Sequence, residues 1–365
     1  MTECTHTQWL TNTEYLNRFY RKAAQLRTPL SGSIDLTHRC NLKCIHCYVG
    51  PQDDVREKQN EEMPTSKVFS LIDEIAEAGC LELLISGGDP LVRRDFSDIF
   101  LHAKMKGLLV TVFTNGTLVT EEVLSLFHRY PPYLVEISLY GATSCTYESI
   151  TGIPGSYARC IHGIERLLSR GIRVKLKTVL MTMNSHELHM MEQVARAYGI
   201  SFRIDAALFP RLNGDRSPLL LRVPAEDAVA KELGNEERLE NWKEFYGQED
   251  DSPLSNQLYV CGAGKTGFDI DPYGILRPCV MVRNITFDLS KGSFLSGWTG
   301  PIKEITRKQT SPTYACSGCE DYVLCAACPG FFDLENGAEE LHSEYLCAMG
   351  RARKRVLSLH AQGAG

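Results

Sequence analysis

Apolar positions across residues 31–205 follow two alternating rhythms. Short runs dense in Val, Ile, Leu and Phe read as strands covered on both faces: SGSIDLT (31–37), LELLIS (81–86), LLVTVFT (108–114), YLVEISL (133–139), IRVKLKTVLM (172–181) and SFRID (201–205). Between them the apolar residues return at helical spacing. Val68, Leu71, Ile72, Ile75 and Ala76 mark one amphipathic helix closed by Gly79, and Phe96, Ile99, Phe100 and Ala103 a second closed by Gly107. Thr120 before Glu121 and Glu122 opens a third, with an N-cap and an acidic first turn. YARCIHGIERLLSRG (157–171) and SHELHMMEQVARAYG (185–199) predict two more. Repeated βα units imply an α/β fold, a parallel sheet in an open or partial barrel, with chemistry at the carboxyl ends of its strands. THRCNLKC (37–44), SGGDP (86–90), TNGT (114–117) and SLYG (138–141) all fall there.

The rhythm breaks after residue 205. AALFPRLNGDRSPLLLRVPAED (206–227) is rich in Pro, Gly and charge, and GQEDDSP (247–253) reads as a solvated loop. The expected division is an N-terminal segment (1–30), the barrel (31–205), a bridging segment (206–260), a loop-rich cysteine-dense domain (261–350) and a C-terminal tail (351–365). The fourth part suits a small domain held by metal rather than by a large core.

Charge changes the picture little. The chain has 365 residues, 39 basic and 45 acidic, for a net charge of -6, which offers no footprint for nucleic acid or acidic lipid. No apolar run reaches the roughly 20 residues needed to span a bilayer. The N-terminus lacks the basic start and apolar core of a signal peptide, so a cytoplasmic location is expected. The 14 cysteines then point to metal or redox chemistry, because disulfide frameworks are rare in that compartment. Cys4, Cys80, Cys145 and Cys160 are scattered and read as buried hydrophobes or inert thiols.

Cys40, Cys44 and Cys47 stand at CxxxCxxC spacing in one loop. Three thiolates can hold three irons of a 4Fe-4S cube and leave the fourth open for chemistry. Zinc is the alternative, but a structural zinc site wants a fourth ligand, and His46 between two of the cysteines is awkwardly placed to be one.

This loop after a first strand, the Gly-Gly-acid-Pro turn Gly87, Gly88, Asp89 and Pro90 after the second, and the βα repeats resemble the radical S-adenosylmethionine (SAM) superfamily. The resemblance implies a partial (β/α)6 barrel over 31–205, with Cys40, Cys44 and Cys47 as ligands of a SAM-binding 4Fe-4S cluster. It implies that reductive cleavage of SAM yields a 5'-deoxyadenosyl radical. It places His46 near adenine and the GGDP backbone near the methionyl amino group, with Asp in place of the commoner Glu. Ser138 matches a position that meets ribose or carboxylate. Arg159 and Lys177 are candidate carboxylate partners, and Asn115 is a further candidate in its turn.

The downstream cysteines read C-x17-C, C-x2-C-x5-C-x2-C and then Cys347, with Gly274 five residues before Cys279. This resembles the SPASM domain, the auxiliary-cluster extension of radical SAM enzymes that act on peptides and proteins. The resemblance implies two more 4Fe-4S clusters, cluster I on Cys261, Cys279 and Cys328 and cluster II on Cys316, Cys319, Cys325 and Cys347. Gly267 stands where some relatives have a fourth cysteine of cluster I, so that cluster is expected to present an open iron or take a noncysteine ligand.

The implied function is a radical SAM/SPASM maturase that cross-links a ribosomally made peptide through a thioether or carbon–carbon bond. A haem- or tetrapyrrole-modifying enzyme is an alternative. Sulfatase-maturase-like oxidation is another, though Val280 replaces the aspartate such enzymes carry after the cysteine matching Cys279. A noncatalytic iron–sulfur electron carrier would belong to a different class. The implied partners are a peptide or small-protein substrate and a flavodoxin- or ferredoxin-type reductant; with only about 30 residues before the barrel, leader binding is expected to use a separate leader-binding protein, the bridging segment, or no leader at all.

Overall fold

The structure, a computed structural model, describes residues 11–247 and 256–362; Cys4 and most of the loop at 247–253 lie outside them. Six parallel strands form the barrel sheet: β1 (Ser31–Thr37), β2 (Glu82–Gly87), β3 (Leu109–Thr114), β4 (Leu134–Ser138), β5 (Val174–Val179) and β6 (Phe202–Asp205). They pair in sequence order, as right-handed βα crossovers with apolar strands require. The sheet then continues from β1 in the other direction. β7 (Gly267–Ile270) pairs parallel with β1, Ser31 against Gly267 and Ile34 against Ile270, and the antiparallel β8 (Ile275–Arg277) and β9 (Phe287–Asp288) follow.

The helices of the first half are α1 (Asn12–Leu26), α2 (Gln52–Glu57), α3 (Thr65–Glu77), α4 (Phe96–Met105), α5 (Glu121–Arg129), α6 (Ser144–Thr151), α7 (Ser156–Ser169) and α8 (Leu188–Ala197). In α3 the residues Val68, Leu71, Ile72 and Ile75 are fully buried against the sheet. Their stripe and the strand residues Ile34, Ile85, Val112 and Ile137 make one core. Thr11 and Glu14 close a capping box on α1, a helix within the N-terminal segment.

The second half holds α9 (Ala225–Leu233), α10 (Glu236–Gly247), α11 (Phe294–Thr299), α12 (Pro329–Asn336) and α13 (Glu344–Gln362). Residues 206–260 thus include two helices, and α9 buries Ala228, Val229 and Leu233. α13 runs straight through the boundary drawn at residue 351, because Ala352 and Leu357 are buried and the guanidinium of Arg353 is bound to Glu232 of α9 and to the Leu324 carbonyl. Among the described residues no helix is long and apolar enough to cross a membrane. Cys80 and Cys160 are buried in the core, and Cys145 is exposed.

Candidate functional site

The carboxyl ends of the strands surround a cavity of about 530 Å³, lined by Cys40, Cys44 and Cys47 from the loop after β1. That volume suits a cofactor-sized ligand. The loop is held at several points. The Cys40 amide donates to Gln52 Oε1 at 2.6 Å, Asn41 Nδ2 donates to Thr117 Oγ1 at 2.8 Å, and the amides of Lys43 and Ile45 donate to the carbonyls of Thr151 and Ile150. The thiols in turn receive donors: the Leu42 amide stands 3.4 Å from Cys40 Sγ and Asn115 Nδ2 3.6 Å, while the amides of Val49 and Gly50 point to Cys47. Burial, then the Asp89 charge, pushes Cys40 up to about 12, so its thiol ionises only when a metal takes the proton's place.

The Gly-Gly turn exists because the cysteine loop passes directly over it. A Cβ on Gly87 would lie 2.0 Å from the Thr37 carbonyl oxygen, and one on Gly88 2.4 Å from those of His38 and Arg39. Gly87 also has φ +135, a conformation that glycine alone adopts easily. The Gly88 and Asp89 amides use this closeness to bond Thr37 and Arg39, extending the β1–β2 ladder beyond the strands.

Ser86, Gly87 and Gly88 line the cavity; Asp89 and Pro90 do not. The Asp89 carboxylate turns inward, accepting from the Leu91 amide, Thr114 Oγ1 and the Asn115 amide, and so ties the turn to β3. Its backbone remains beside the loop, but its side chain is a clamp. Burial raises it to about 6 despite those donors.

His46, Asn115, Ser138 and Lys177 all line the cavity. His46 meets the Tyr140 ring edge-on at 4.4 Å, burial lowers it to about 4, and its Nδ1 has no hydrogen-bond partner. Ser138 hydrogen-bonds the Tyr140 phenol. Lys177 Nζ lies 3.0 Å over the Phe113 ring and 3.5 Å from Glu136. Arg159 is a correction: it sits exposed on α7, off the buried stripe of Cys160, Ile164 and Leu167, with its guanidinium over the Pro154 carbonyl and away from the cavity.

The C-terminal cysteines sort into two spatial sets. Cys328 and Cys261 lie within electrostatic reach of Cys279, and Cys261 of Cys328. Separately, Cys347, Cys316 and Cys319 lie within reach of Cys325, and Cys316 and Cys319 of Cys347. Tyr322 stands between, near members of both. Backbone amides again point at sulfur: Met281 to Cys279, Phe331 and Gly330 to Cys328, and Ala327 to Cys325. Val280 and Met281, just after Cys279, reach the cavity and line its wall. Gly267 opens β7, with room for a Cβ, whose nearest contact would be Gly262 O at 3.5 Å.

This donor chemistry fits iron–sulfur clusters: free thiols in threes and fours, each set served by backbone amides. Among the described residues no three His, Cys, Asp or Glu side chains gather around the position of a single metal ion.

Asp35 and Asp269 also line the cavity, each 4% exposed. Sequence reasoning missed both, although a lone carboxylate inside an apolar strand, as in SIDL and GFDI, was the available signal.

Residues 34–197 match the model of the radical SAM superfamily. The chain is 30% identical over 341 residues to the AdoMet-dependent heme synthase of Methanosarcina barkeri, covering 84% of this chain and 92% of that one. It is 28% identical to the mycofactocin maturase MftC of Mycobacterium tuberculosis, covering 82% and 78%. The structure of Streptococcus suis SuiB bound to S-adenosylmethionine superposes with a TM-score of 0.66 at 16% identity, over 95% of this chain and 83% of that one, a likeness of fold. Joined to a three-cysteine loop at the carboxyl end of β1 and a Gly-Gly turn fitted beneath it, these likenesses make the chain a radical SAM enzyme, a member of the superfamily that works with a 4Fe-4S cluster and SAM.

Proposed function

We propose that this enzyme matures a ribosomally synthesised peptide by hydrogen abstraction and oxidative cross-link formation, as a thioether or carbon–carbon bond. The observation that carries the reading is the second wall of the cavity. Val280 and Met281 line the same space as Cys40, Cys44 and Cys47, so a substrate held there lies between two cysteine sets. Radical generation on one side and removal of a second electron on the other suit an oxidative closure.

Cys40, Cys44 and Cys47 would hold the SAM-binding cluster, which with SAM supplies a 5'-deoxyadenosyl radical. His46 offers its ring to adenine. The Gly87–Gly88 backbone, Asn115, Ser138 and Lys177 offer hydrogen bonds and charge to the amino, ribose and carboxylate groups. Cys261, Cys279 and Cys328 would hold auxiliary cluster I, and Cys316, Cys319, Cys325 and Cys347 cluster II, a complete thiolate shell. A flavodoxin or ferredoxin would supply electrons. A separate leader-binding protein would deliver the peptide.

A second reading, tetrapyrrole modification, draws support from the extent of the likeness to the haem synthase. Porphyrin propionates need cations, and beyond Lys177, assigned above to SAM, the cavity cations are paired: Lys43 with Asp53, Arg211 with Asp215, and Arg203 with Glu136. That pairing favours the peptide. Val280 in place of an acid disfavours formylglycine formation.

The test incubates anaerobically reconstituted enzyme with SAM, dithionite and synthetic peptides from the short reading frames beside its gene, and in parallel with an iron porphyrin bearing propionates. The expected result is a peptide that loses the mass of two hydrogen atoms as deoxyadenosine accumulates. A changed porphyrin with unchanged peptides would replace this reading by the second.

A further inference from the structure

The cavity contains polar groups that none of these roles uses. Asp35, near the end of β1, and Asp269, in β7, stand on neighbouring strands and face the cavity together. Ser33 Oγ donates to Asp269 Oδ1 at 2.7 Å and fixes that carboxylate. The nearest guanidinium, Arg277, reaches Asp269 only at 4.0 Å and is committed to Asp271 at 2.8 Å. His38 Nε2 is 3.5 Å from Asp35. Two buried carboxylates thus face one wall of the cavity.

We propose that Asp269, paired on this wall with Asp35, accepts the proton of the substrate thiol that becomes joined in a thioether cross-link. The substrate C–H hydrogen atom passes to the 5'-deoxyadenosyl radical, the S–H proton passes to a carboxylate oxygen of Asp269, the sulfur electron pair forms the new S–C bond, and the one electron left over passes to an iron–sulfur oxidant. This rests on the peptide reading above. The rest of this wall, Val280 and Met281, is apolar and supplies no base.

Burial, then the Asp35 charge, pushes Asp269 up to about 7, where a general base works best near neutral pH. The groups facing it are Asp35 from β1, Arg277 from β8, Asp271 from the β7–β8 turn, and Cys279, Arg283 and Tyr48 from the loops.

The test has two arms. Infrared spectra of the reconstituted, peptide-free enzyme should contain a titrating carboxylic-acid band near neutral pH. The band should vanish in Asp269→Asn and move to lower pH in Asp35→Asn. With the modified peptide identified above, product per deoxyadenosine should fall about 100-fold in Asp269→Asn. In Asp35→Asn the acid limb of the pH profile should move to lower pH, a shift that a merely structural aspartate would not produce. Absence of the band in the wild type overturns the pair. A band accompanied by an unchanged product ratio and acid limb overturns its role as proton acceptor. Failure of the peptide reading is distinguishable, because the wild type then modifies no peptide and the infrared arm decides alone.

Discussion

Lys177 carries an energetic penalty that sequence position alone does not announce. Burial, partly offset by Glu136, lowers it to about 7. An unfolded lysine titrates near 10.4, so between roughly pH 7 and pH 10 the unfolded chain binds more protons and stability rises with pH. Lys177→Met should flatten that rise and raise the unfolding free energy at pH 7 by about 1 kcal/mol, lifting the thermal midpoint, while weakening SAM binding. Unfolding scans and SAM titrations across that range check both effects; a midpoint lowered at pH 7 would contradict the argument. Gly267 offers a second test, since the chain has space there for a side chain. If the open iron of cluster I binds substrate sulfur, Gly267→Cys should close the shell and suppress peptide product while deoxyadenosine formation continues. The two products are measured together once spectroscopy shows the new thiolate on iron. Full peptide modification would leave cluster I an electron-transfer or structural role.

Among the elements, α13 carries Cys347 of the proposed cluster II and also braces that site from its next turns. Arg353 spans from α13 to Glu232 of α9 and to the Leu324 carbonyl, next to Cys325. Arg353→Ala would leave Glu232 buried without its partner, a loss of about 3–5 kcal/mol. The expected outcome is a lower unfolding midpoint and loss of roughly four irons from the proposed cluster II; a full iron complement would remove Arg353 from that role. This helix was hard to read in advance because charged residues interrupt its apolar stripe. The barrel strands were easy, since Val110, Val112, Val135 and Ile137 each sit in an apolar run long enough to fill a covered sheet. β7 escaped notice for the opposite reason: it is four residues long, begins at glycine and contains an aspartate. Of the site, the cysteine spacing and Gly-Gly turn were legible because each is local in sequence. The Asp35–Asp269 pairing was not, because it depends on which strand β1 meets on its far side.

For the whole molecule, three spatial cysteine sets would hold three cubes under the proposed reading. Anaerobic reconstitution should give about 12 irons per chain. Replacing Cys40, Cys44 and Cys47 together by Ala should leave about eight and abolish deoxyadenosine formation with dithionite. One cluster alone, or stoichiometric zinc, would undo the assignment of the downstream cysteines. The pairing of β1 with β7 reaches further than the site. Ser33 and Asp269, bonded across it, are 236 residues apart in the chain. During synthesis β1 emerges early, yet its neighbour on that side is among the last strands to leave the ribosome. Until then one edge of β1 stands open, the kind of edge that recruits foreign strands. A nascent chain stalled before β7 is therefore an aggregation hazard as well as an inactive one, which makes completion of the cysteine-rich region a condition for the barrel's own solubility.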